Sequence, residues 1–305
     1  MSLWQAIVLA VVQGLTEFLP ISSTAHLILV PWLLGWHDPG LAYDVALHAG
    51  TLVAVLAYFA RDWWEMIRDS IHCFFRAQYG PLEQSSLNTA HPPGRFRFSL
   101  ATRLLAPVPH SAVVNSTLLQ IVVVATIPAA LAGYFLESYA ASVFRSPGLI
   151  AAALMAVALL LWLADRRKTL ARGVGEVGFA DAVIIGLAQA VAIVPGTSRA
   201  GITIAAGLFR NLTRESAARF SFLLATPIIG GATLLEGAQM LEQGLPPGTS
   251  VRDFVVGFVV SALVGYGAIA FLLRYLQVRT LKIFVAYRLA LGAIILAIEF
   301  LRSTG

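Results

Sequence analysis

Two short polar segments stand out in an otherwise strongly apolar chain of 305 residues. The first covers residues 13–26 and contains Glu17, Ser23 and His26, and the second contains Arg199. An ionisable side chain at the centre of a bilayer costs roughly 2.5–3.5 kcal/mol or more, so these groups need partners, water or a ligand. The first segment offers an acid and a hydroxyl nucleophile, and the second offers a cation that can bind an anion. We expect the chemistry of this protein to be located in these two segments.

Gln13 and Glu17 are four residues apart, so on a helix they share one face. Pro20 then ends that helix, because its ring blocks continuation and disfavours helical backbone in the residue before it. An amide oxygen beside a carboxylate suits a hard divalent cation such as Mg²⁺ or Ca²⁺, which prefers oxygen ligands. We therefore predict a metal site at Glu17 and Gln13. The alternative is that Glu17 only makes a hydrogen bond inside the helix bundle.

Ser22, Ser23 and Thr24 follow at the point where a second helix would begin. Their hydroxyls can cap that helix, whose free N–H groups and positive dipole end favour an anion. His26 lies three residues beyond Ser23, and a serine becomes a strong nucleophile only when a base removes its proton. We predict that Ser23 and His26 are catalytic, as phosphoryl acceptor and base, and that Ser22 and Thr24 bind substrate. Helix capping by the three hydroxyls is the alternative.

The second polar segment reads PGTSRAG and offers an anion clamp. Its glycines permit tight turns, and its hydroxyls and backbone N–H groups can converge on a helix start. The planar guanidinium of Arg199 suits phosphate oxygens, so we predict a catalytic role for Arg199 in neutralising phosphate. The predicted substrate-binding residues here are Gly196, Thr197, Ser198 and Gly201. The competing hypothesis is an ion pair between Arg199 and Glu17, in a site that is empty between turnovers.

Three other polar residues are given structural roles. Asp44 and His48 are also four residues apart, but at the end of an apolar run they are expected to support packing or neighbouring groups. Arg288, beside Tyr287, is expected to tie helices together.

The composition excludes a soluble globular protein. Hydrophobic residues make up 58% of the chain and charged residues only 12%, against about 25% in soluble domains. The net charge of +5 does not indicate nucleic-acid binding, because most basic residues lie between apolar runs. A single cysteine excludes an internal disulfide and a cysteine-based metal site. We predict a polytopic membrane protein that binds no nucleic acid.

Apolar runs indicate the membrane architecture, since a helix needs roughly 20 residues to cross about 30 Å of hydrocarbon. Six runs qualify, at 41–60, 117–137, 147–164, 219–240, 253–276 and 283–301. Two further stretches, 4–34 and 180–209, are broken by proline and by the polar segments. Each half is too short to cross, so we predict re-entrant helical hairpins there. The predicted fold class is an all-α polytopic membrane protein with six transmembrane helices and two re-entrant hairpins.

The order of these elements, a hairpin and three spans repeated twice, predicts an inverted repeat. Three crossings reverse the orientation of the chain, so the second unit is inserted upside down and the two hairpins meet near mid-membrane. The whole chain, 1–305, is then one membrane domain, with repeat one at 1–164 and repeat two at 179–305.

The distribution of basic residues predicts the orientation of the chain. One side carries most of them and the other only Arg145, Arg252 and Arg302, so the poorer side is expected to face outward, together with the mouth of the first hairpin. The proline-rich connection at about 77–116 is expected to have little regular structure.

Taken together, the motifs closely resemble bacterial undecaprenyl-diphosphate phosphatases, the bacitracin-resistance family. The residues that carry the resemblance are Gln13 to Glu17, PISSTAH at 20–26, PGTSRAG at 195–201 and FSFLLATP at 220–227. The resemblance implies hydrolysis of the C55 isoprenoid diphosphate to the monophosphate, which recycles the lipid carrier for peptidoglycan synthesis. It also implies a divalent metal and a site in the bacterial cytoplasmic membrane that opens toward the outer face. Gln13, in place of a glutamate, and Ala200, in place of a serine, depart from the usual pattern.

Several alternatives stay open at this stage. Metal-activated water, or His26 itself, could attack phosphorus in place of Ser23. A lipid or small-molecule transporter or flippase can use the same inverted-repeat architecture, but it has no need of adjacent Ser, His and Glu around a phosphate clamp. The acid-phosphatase-like lipid phosphatases require a different motif, which does not follow Arg199. Beyond the lipid substrate and the surrounding membrane lipids, a homodimer is the one further partner considered.

Overall fold

The computed structural model describes residues 1–37, 39–79, 117–141, 146–243 and 250–304. Within these ranges the long regular elements are eleven α-helices, so the all-α prediction is confirmed for the described part of the chain. They are α1 (Leu3–Phe18), α2 (Ser23–Leu34), α3 (Leu41–Tyr58), α4 (Ala60–Tyr79), α5 (Leu118–Ala141), α6 (Pro147–Asp165), α7 (Phe179–Val191), α8 (Arg199–Phe209), α9 (Arg214–Gln243), α10 (Val251–Val278) and α11 (Lys282–Thr304). A 3₁₀ turn at Val174–Glu176 precedes α7.

Five of the described helices, α5, α6, α9, α10 and α11, are long and apolar enough to cross a membrane. A sixth crossing is available if α3 and α4 count as one bent span. The chain is therefore a multi-pass membrane protein. The predicted span at 41–60 needs a correction at its end, because α3 stops at Tyr58 and the chain turns by 69° into α4.

Helix α4 is an element that the search for apolar runs missed. It is amphipathic and carries several charges, so its mean hydropathy is too low for a span, although Met66 and Asp62 are buried. The guanidinium of Arg219 in α9 pairs with Asp62 at 3.2 Å, which attaches α4 to the bundle. Residues 77–79 of the predicted irregular connection are the end of α4, and 80–116 lie outside the described residues.

Two pairs of short apolar helices contain the polar segments. Helices α1 and α2 are separated by residues 19–22, and α7 and α8 by residues 192–198. Within each pair the two helices pack against each other. The breaks thus occur where Pro20 and Pro195 predicted them. The re-entrant path of each pair and the division into repeats stay predictions.

The first helix of each short pair packs closely on a long helix through a glycine. A Cβ atom on Gly14 of α1 would lie 2.9 Å from the backbone nitrogen of Gly265 in α10. A Cβ atom on Gly186 of α7 would lie 2.5 Å from the carbonyl oxygen of Ala125 in α5. Small residues let membrane helices approach to backbone contact, where dispersion is strongest. These contacts set the depth of α1 and α7 in the bundle.

Aromatic packing supports the end of α1, next to the first polar segment. Phe18 is buried and meets the ring of Phe222 edge to face, with centroids 5.3 Å apart. Phe222 in turn packs on Phe59 at the bend between α3 and α4. Edge-to-face pairs add about 0.5–1.5 kcal/mol to the burial of their area. This cluster holds the neighbouring Glu17 in position.

Candidate active site

Each of the two chain breaks ends at a serine with unusual backbone geometry. Ser22 has φ 77° and Ser198 has φ 66°, values that residues other than glycine rarely adopt. The Oγ of Ser22 accepts from the N–H of Ala25 at 3.5 Å, and the Oγ of Ser198 accepts from the N–H of Gly201 at 3.1 Å. Both serines are therefore N-caps. In the first segment Ser22 alone caps the helix, so the hydroxyl of Ser23 is available for other contacts.

The carboxylate of Glu17 is the centre of the polar cluster. Its Oε2 accepts hydrogen bonds from the Oγ of Ser23 at 2.6 Å and from the Nε2 of Gln13 at 3.0 Å. Its Oε1 accepts from the guanidinium of Arg199. The Nε2 of His48 lies 3.6 Å from Oε2. The structure thus brings together an acid, a hydroxyl and a cation from the two polar segments.

The ion pair between Arg199 and Glu17, considered above as the competing hypothesis, is the arrangement that the structure has. The side chain of Arg199 is 16% exposed and that of Glu17 only 4%. The guanidinium also donates to the carbonyl of Ala225 at 3.3 Å. Pairing compensates the cost of burying each charge, and loss of either partner would leave the other charge uncompensated.

His26 makes two short contacts, and neither is with Ser23. Its Nδ1 lies 2.6 Å from the carbonyl oxygen of Ser22, and its Nε2 lies 2.6 Å from the hydroxyl of Tyr287. Since a carbonyl can only accept, Nδ1 carries the proton, and in the neutral ring Nε2 accepts from the tyrosine. The hydroxyl proton of Ser23 faces Glu17 instead. The pairing of Ser23 with His26 that their spacing favoured is therefore not the one found.

Arg288 connects the two breaks, and its expected role in tying helices together is confirmed. The side chain is fully buried. It donates to four well-placed carbonyl oxygens, those of Pro20 at 3.1 Å, Gly196 at 2.9 Å, Thr197 at 3.0 Å and Leu154 at 3.0 Å. Because these carbonyls belong to both turns and to α6, one guanidinium sets the distance between the two polar segments.

The remaining predicted substrate-binding residues fall into two groups. Gly196, Thr197 and Ser198 are buried in the turn beside Arg288, and a Cβ on Gly196 would collide with the carbonyl of Ile150. Thr24, by contrast, is exposed at the start of α2 and makes no polar side-chain contact within the described part of the chain. The structure therefore keeps most of these residues at the site and leaves Thr24 at its edge.

Comparison with known proteins shows the family of this chain. The sequence matches the family described as bacitracin resistance protein BacA over residues 6–294. This chain belongs to the BacA family. Relatives named undecaprenyl-diphosphatase occur in Thermomicrobium roseum (45% identical, 98% of each chain), Pelotomaculum thermopropionicum (40%, 100% of each chain) and Desulforudis audaxviator (43%, 99% of this chain and 100% of the relative).

In this BacA-family chain the oxygen atoms around Glu17 fit a divalent cation that takes only some of its ligands from the protein. The Oε1 of Gln13 is buried without a hydrogen-bond partner among the described residues, while the Nε2 of the same amide donates to the carboxylate of Glu17, which also accepts from Ser23. These are the oxygen donors that Mg²⁺ and Ca²⁺ prefer. No group of three or more His, Cys, Asp or Glu side chains suited to a metal occurs in the described ranges. A cation here would complete its ligand shell with water and substrate oxygens, as Mg²⁺ commonly does.

Two residues at this BacA-family site, His48 and Tyr287, were not predicted to belong to it. The spacing of Asp44 and His48 gave a weak signal, but only packing of α3 against α1 brings the imidazole near Glu17. Tyr287 is 261 residues from His26 in the chain, so no local pattern could reveal their contact.

Two sizeable cavities lie away from this cluster, one of about 450 Å³ near Thr213 and one of about 330 Å³ near Trp162.

Proposed function

We propose that this protein hydrolyses undecaprenyl diphosphate to undecaprenyl phosphate and inorganic phosphate. The observation that carries the proposal is the direct contact of Glu17 with both Ser23 and Arg199 at the start of two helices. The full-length relatives named undecaprenyl-diphosphatase support the same substrate. Their names give no support to the transporter alternative.

The beginnings of α2 and α8 supply the binding site for the diphosphate. Helix α2 starts at Ser23 and α8 at Arg199, so the positive ends of two helix dipoles meet at the cluster. The guanidinium of Arg199 can bind phosphate oxygens through two parallel N–H groups. A diphosphate that enters the site replaces Glu17 as the partner of Arg199, which frees the carboxylate to act as a base.

Glu17 is the group that takes the proton of Ser23, because it already accepts that hydrogen bond at 2.6 Å. The Oγ of Ser23 forms a bond to the terminal phosphorus, the bond from phosphorus to the bridging oxygen breaks, and undecaprenyl phosphate leaves with the bonding electrons. Water then attacks the phosphoserine and releases inorganic phosphate while Ser23 regains a proton. Positioning and charge neutralisation dominate in such phosphoryl transfers, and Arg199 and the two helix starts provide both.

A divalent cation completes the site as we propose it. Gln13 and the oxygen of Glu17 that Arg199 releases would hold it, so the other oxygen of Glu17 can still take the proton of Ser23, and the ion would supply neutralisation of phosphate charge when bound. Activity is then expected to disappear in excess chelator and to return when Mg²⁺ or Ca²⁺ is added back. Phosphate release that is unaffected by the chelator would contradict this part of the proposal.

The inverted repeat, with its boundaries near 164 and 179, is part of the proposal. Two matched pairs of features support it. Gly14 and Gly186 each allow the first helix of a short pair to touch a long helix, and Ser22 and Ser198 cap the second helix with the same rare backbone geometry. Membrane transporters built from inverted repeats likewise place broken helices at the midplane.

The orientation in the bacterial cytoplasmic membrane also belongs to the proposal. The few basic residues on one side support a site that opens toward the outer face. Cysteine labelling with a membrane-impermeant reagent at Arg252→Cys, which is exposed, and at Lys282→Cys should mark opposite faces. The homodimer stays a prediction.

The decisive experiment measures phosphate release from undecaprenyl diphosphate by the purified protein in detergent. Ser23→Ala should lower the rate at least about a thousandfold, since it removes the nucleophile. Ser303→Ala is the matched control, because Ser303 is exposed at the end of α11. With substrate labelled in the terminal phosphate, acid quenching should trap label on Ser23. An inactive wild-type protein would refute the function. Label on His26, or no trapped label, would instead assign the attack to His26 or to water.

A further inference from the structure

We propose that Tyr287 is a positioning residue for the phosphatase reaction, a role that rests on the proposed function. Its hydroxyl holds the imidazole of His26 in the form that carries the proton on Nδ1. By occupying Nε2 it also keeps His26 from competing with Glu17 for the proton of Ser23. Tyr287 thus determines which of the two candidate bases serves the nucleophile.

The contacts of His26 define this form of the ring. The carbonyl oxygen of Ser22 is 2.6 Å from Nδ1 and can only accept, so the proton lies on Nδ1. The hydroxyl of Tyr287 lies 2.6 Å from Nε2 and donates to its lone pair. Both ring nitrogens are therefore engaged, and neither is available to attack phosphorus. Among the nucleophiles considered, this arrangement favours Ser23 over His26.

Both partners of His26 are held in place by the structure around them. Ser22 has a positive φ and caps α2, which directs its carbonyl at the ring. Tyr287 precedes Arg288, whose guanidinium binds carbonyls of both turns, so the backbone of α11 cannot slide at this point. The planes of the His26 and Tyr287 rings are also nearly parallel, with an interplanar angle of 11° and centroids 5.7 Å apart. The anchored helix α11 therefore places the hydroxyl of Tyr287 at Nε2 of His26.

The role of Tyr287 differs from that of a packing residue. Tyr287 is 43% exposed, whereas His26 is buried. While the contact lasts, the hydroxyl of Tyr287 occupies Nε2 of this buried imidazole. Removal of the hydroxyl alone should change the state of the imidazole while the phenyl ring stays in place.

The test compares Tyr287→Phe with the wild type. In the wild-type protein labelled with ¹⁵N-histidine, the His26 resonances, assigned with a His26→Gln variant, should report a proton on Nδ1 and a hydrogen-bonded lone pair on Nε2. Tyr287→Phe should shift the Nε2 resonance and lower kcat about tenfold, the usual effect of one lost hydrogen bond. KM should be unchanged, because the hydroxyl does not bind substrate. Tyr134→Phe, at a residue that is 78% exposed, is the matched control.

Two results would overturn the proposal. One is a wild-type spectrum with the proton of His26 on Nε2, a result that does not depend on Tyr287→Phe and holds even if that variant folds poorly. The other is a folded Tyr287→Phe protein with wild-type kcat and an unshifted Nε2 resonance. Failure of the proposed function is distinguished from both, since it appears as absent phosphate release from the wild type.

Discussion

Arg199 donates a hydrogen bond to the carboxylate of Glu17, a residue that lies 182 positions earlier in the chain. This one contact joins the two polar segments and unites the candidate base with the candidate phosphate clamp. Both side chains are nearly buried, so each is the main compensation for the charge of the other. A substrate phosphate must therefore compete with the protein's own carboxylate for Arg199.

Glu17→Gln should abolish phosphate release and yet strengthen the binding of a bare anion. The neutral amide keeps the shape of the side chain and no longer competes for Arg199. In excess chelator, we expect inorganic pyrophosphate to bind Glu17→Gln at least about tenfold more tightly than wild type, as measured by calorimetry. Glu65→Gln, which removes an acid from an exposed pair with Arg61, is the control and should bind like wild type. Equal or weaker affinity in Glu17→Gln would argue against the competition.

Arg288→Met should destabilise the protein and reduce turnover together. Methionine has a similar length but no donors, so the carbonyls of Pro20, Gly196 and Thr197 lose their shared partner. We expect the free energy of unfolding to fall by about 3 kcal/mol or more, since each buried acceptor left unpaired costs about 1–3 kcal/mol. Arg279→Met, at an exposed residue between α10 and α11, should change stability little. A wild-type melting temperature for Arg288→Met would show that the turns do not depend on it.

Gly186→Ala should weaken the packing of α7 against α5. The added Cβ would lie 2.5 Å from the carbonyl oxygen of Ala125, so the helices must separate. Overpacking of this kind costs about 1–3 kcal/mol, which thermal unfolding in detergent can detect. Gly231→Ala in α9 faces open space and should be neutral or slightly stabilising. If Gly186→Ala unfolds at the wild-type temperature, the close approach is not needed for stability.

Asp181, at the start of α7 and outside the spanning helices, should contribute to stability in a pH-dependent way. Burial raises the pKa of its carboxyl, but hydrogen bonds from Arg172, Gly178 and Arg210 outweigh this effect and lower the pKa to about 2 from 3.8. Because the folded pKa lies below the unfolded one, the contribution is complete above about pH 4 and is lost as the pH falls toward 2.

Denaturation of wild type and Asp181→Asn across this range tests that contribution. The variant should be less stable at pH 7, and the difference should shrink between pH 4 and pH 2. Asp69→Asn, which removes an acid from a more exposed pair with Arg68, should show little difference at any pH. A difference for Asp181→Asn that stays constant down to pH 2 would contradict the lowered pKa.

Patterns that are local in the chain were sufficient to predict most helices and both breaks. An apolar run of about 20 residues indicates a membrane-spanning helix, because every backbone polar group in the hydrocarbon must be hydrogen-bonded within the protein. Pro20 predicted the end of α1 through steric effects on its neighbours, and Pro195 with the second polar segment predicted the break after α7. The same reasoning missed α4, because amphipathic helices carry charges that hide them from a hydropathy scan.

Residue types in the two polar segments were enough to nominate Glu17, Ser23, His26 and Arg199, since such groups are costly in a membrane unless they are used. The ion pair of Glu17 with Arg199 was considered from the sequence, but the hydrogen-bond partners of Ser23 and His26 were not predicted. The proton of Ser23 faces Glu17 and not His26 because Tyr287, far along the chain, occupies the imidazole. Arg288 joins the two turns for the same reason, that folding brings distant carbonyls around one buried guanidinium. The residue types alone indicate which chemistry the side chains can perform, whereas their hydrogen-bond partners depend on how the helices pack.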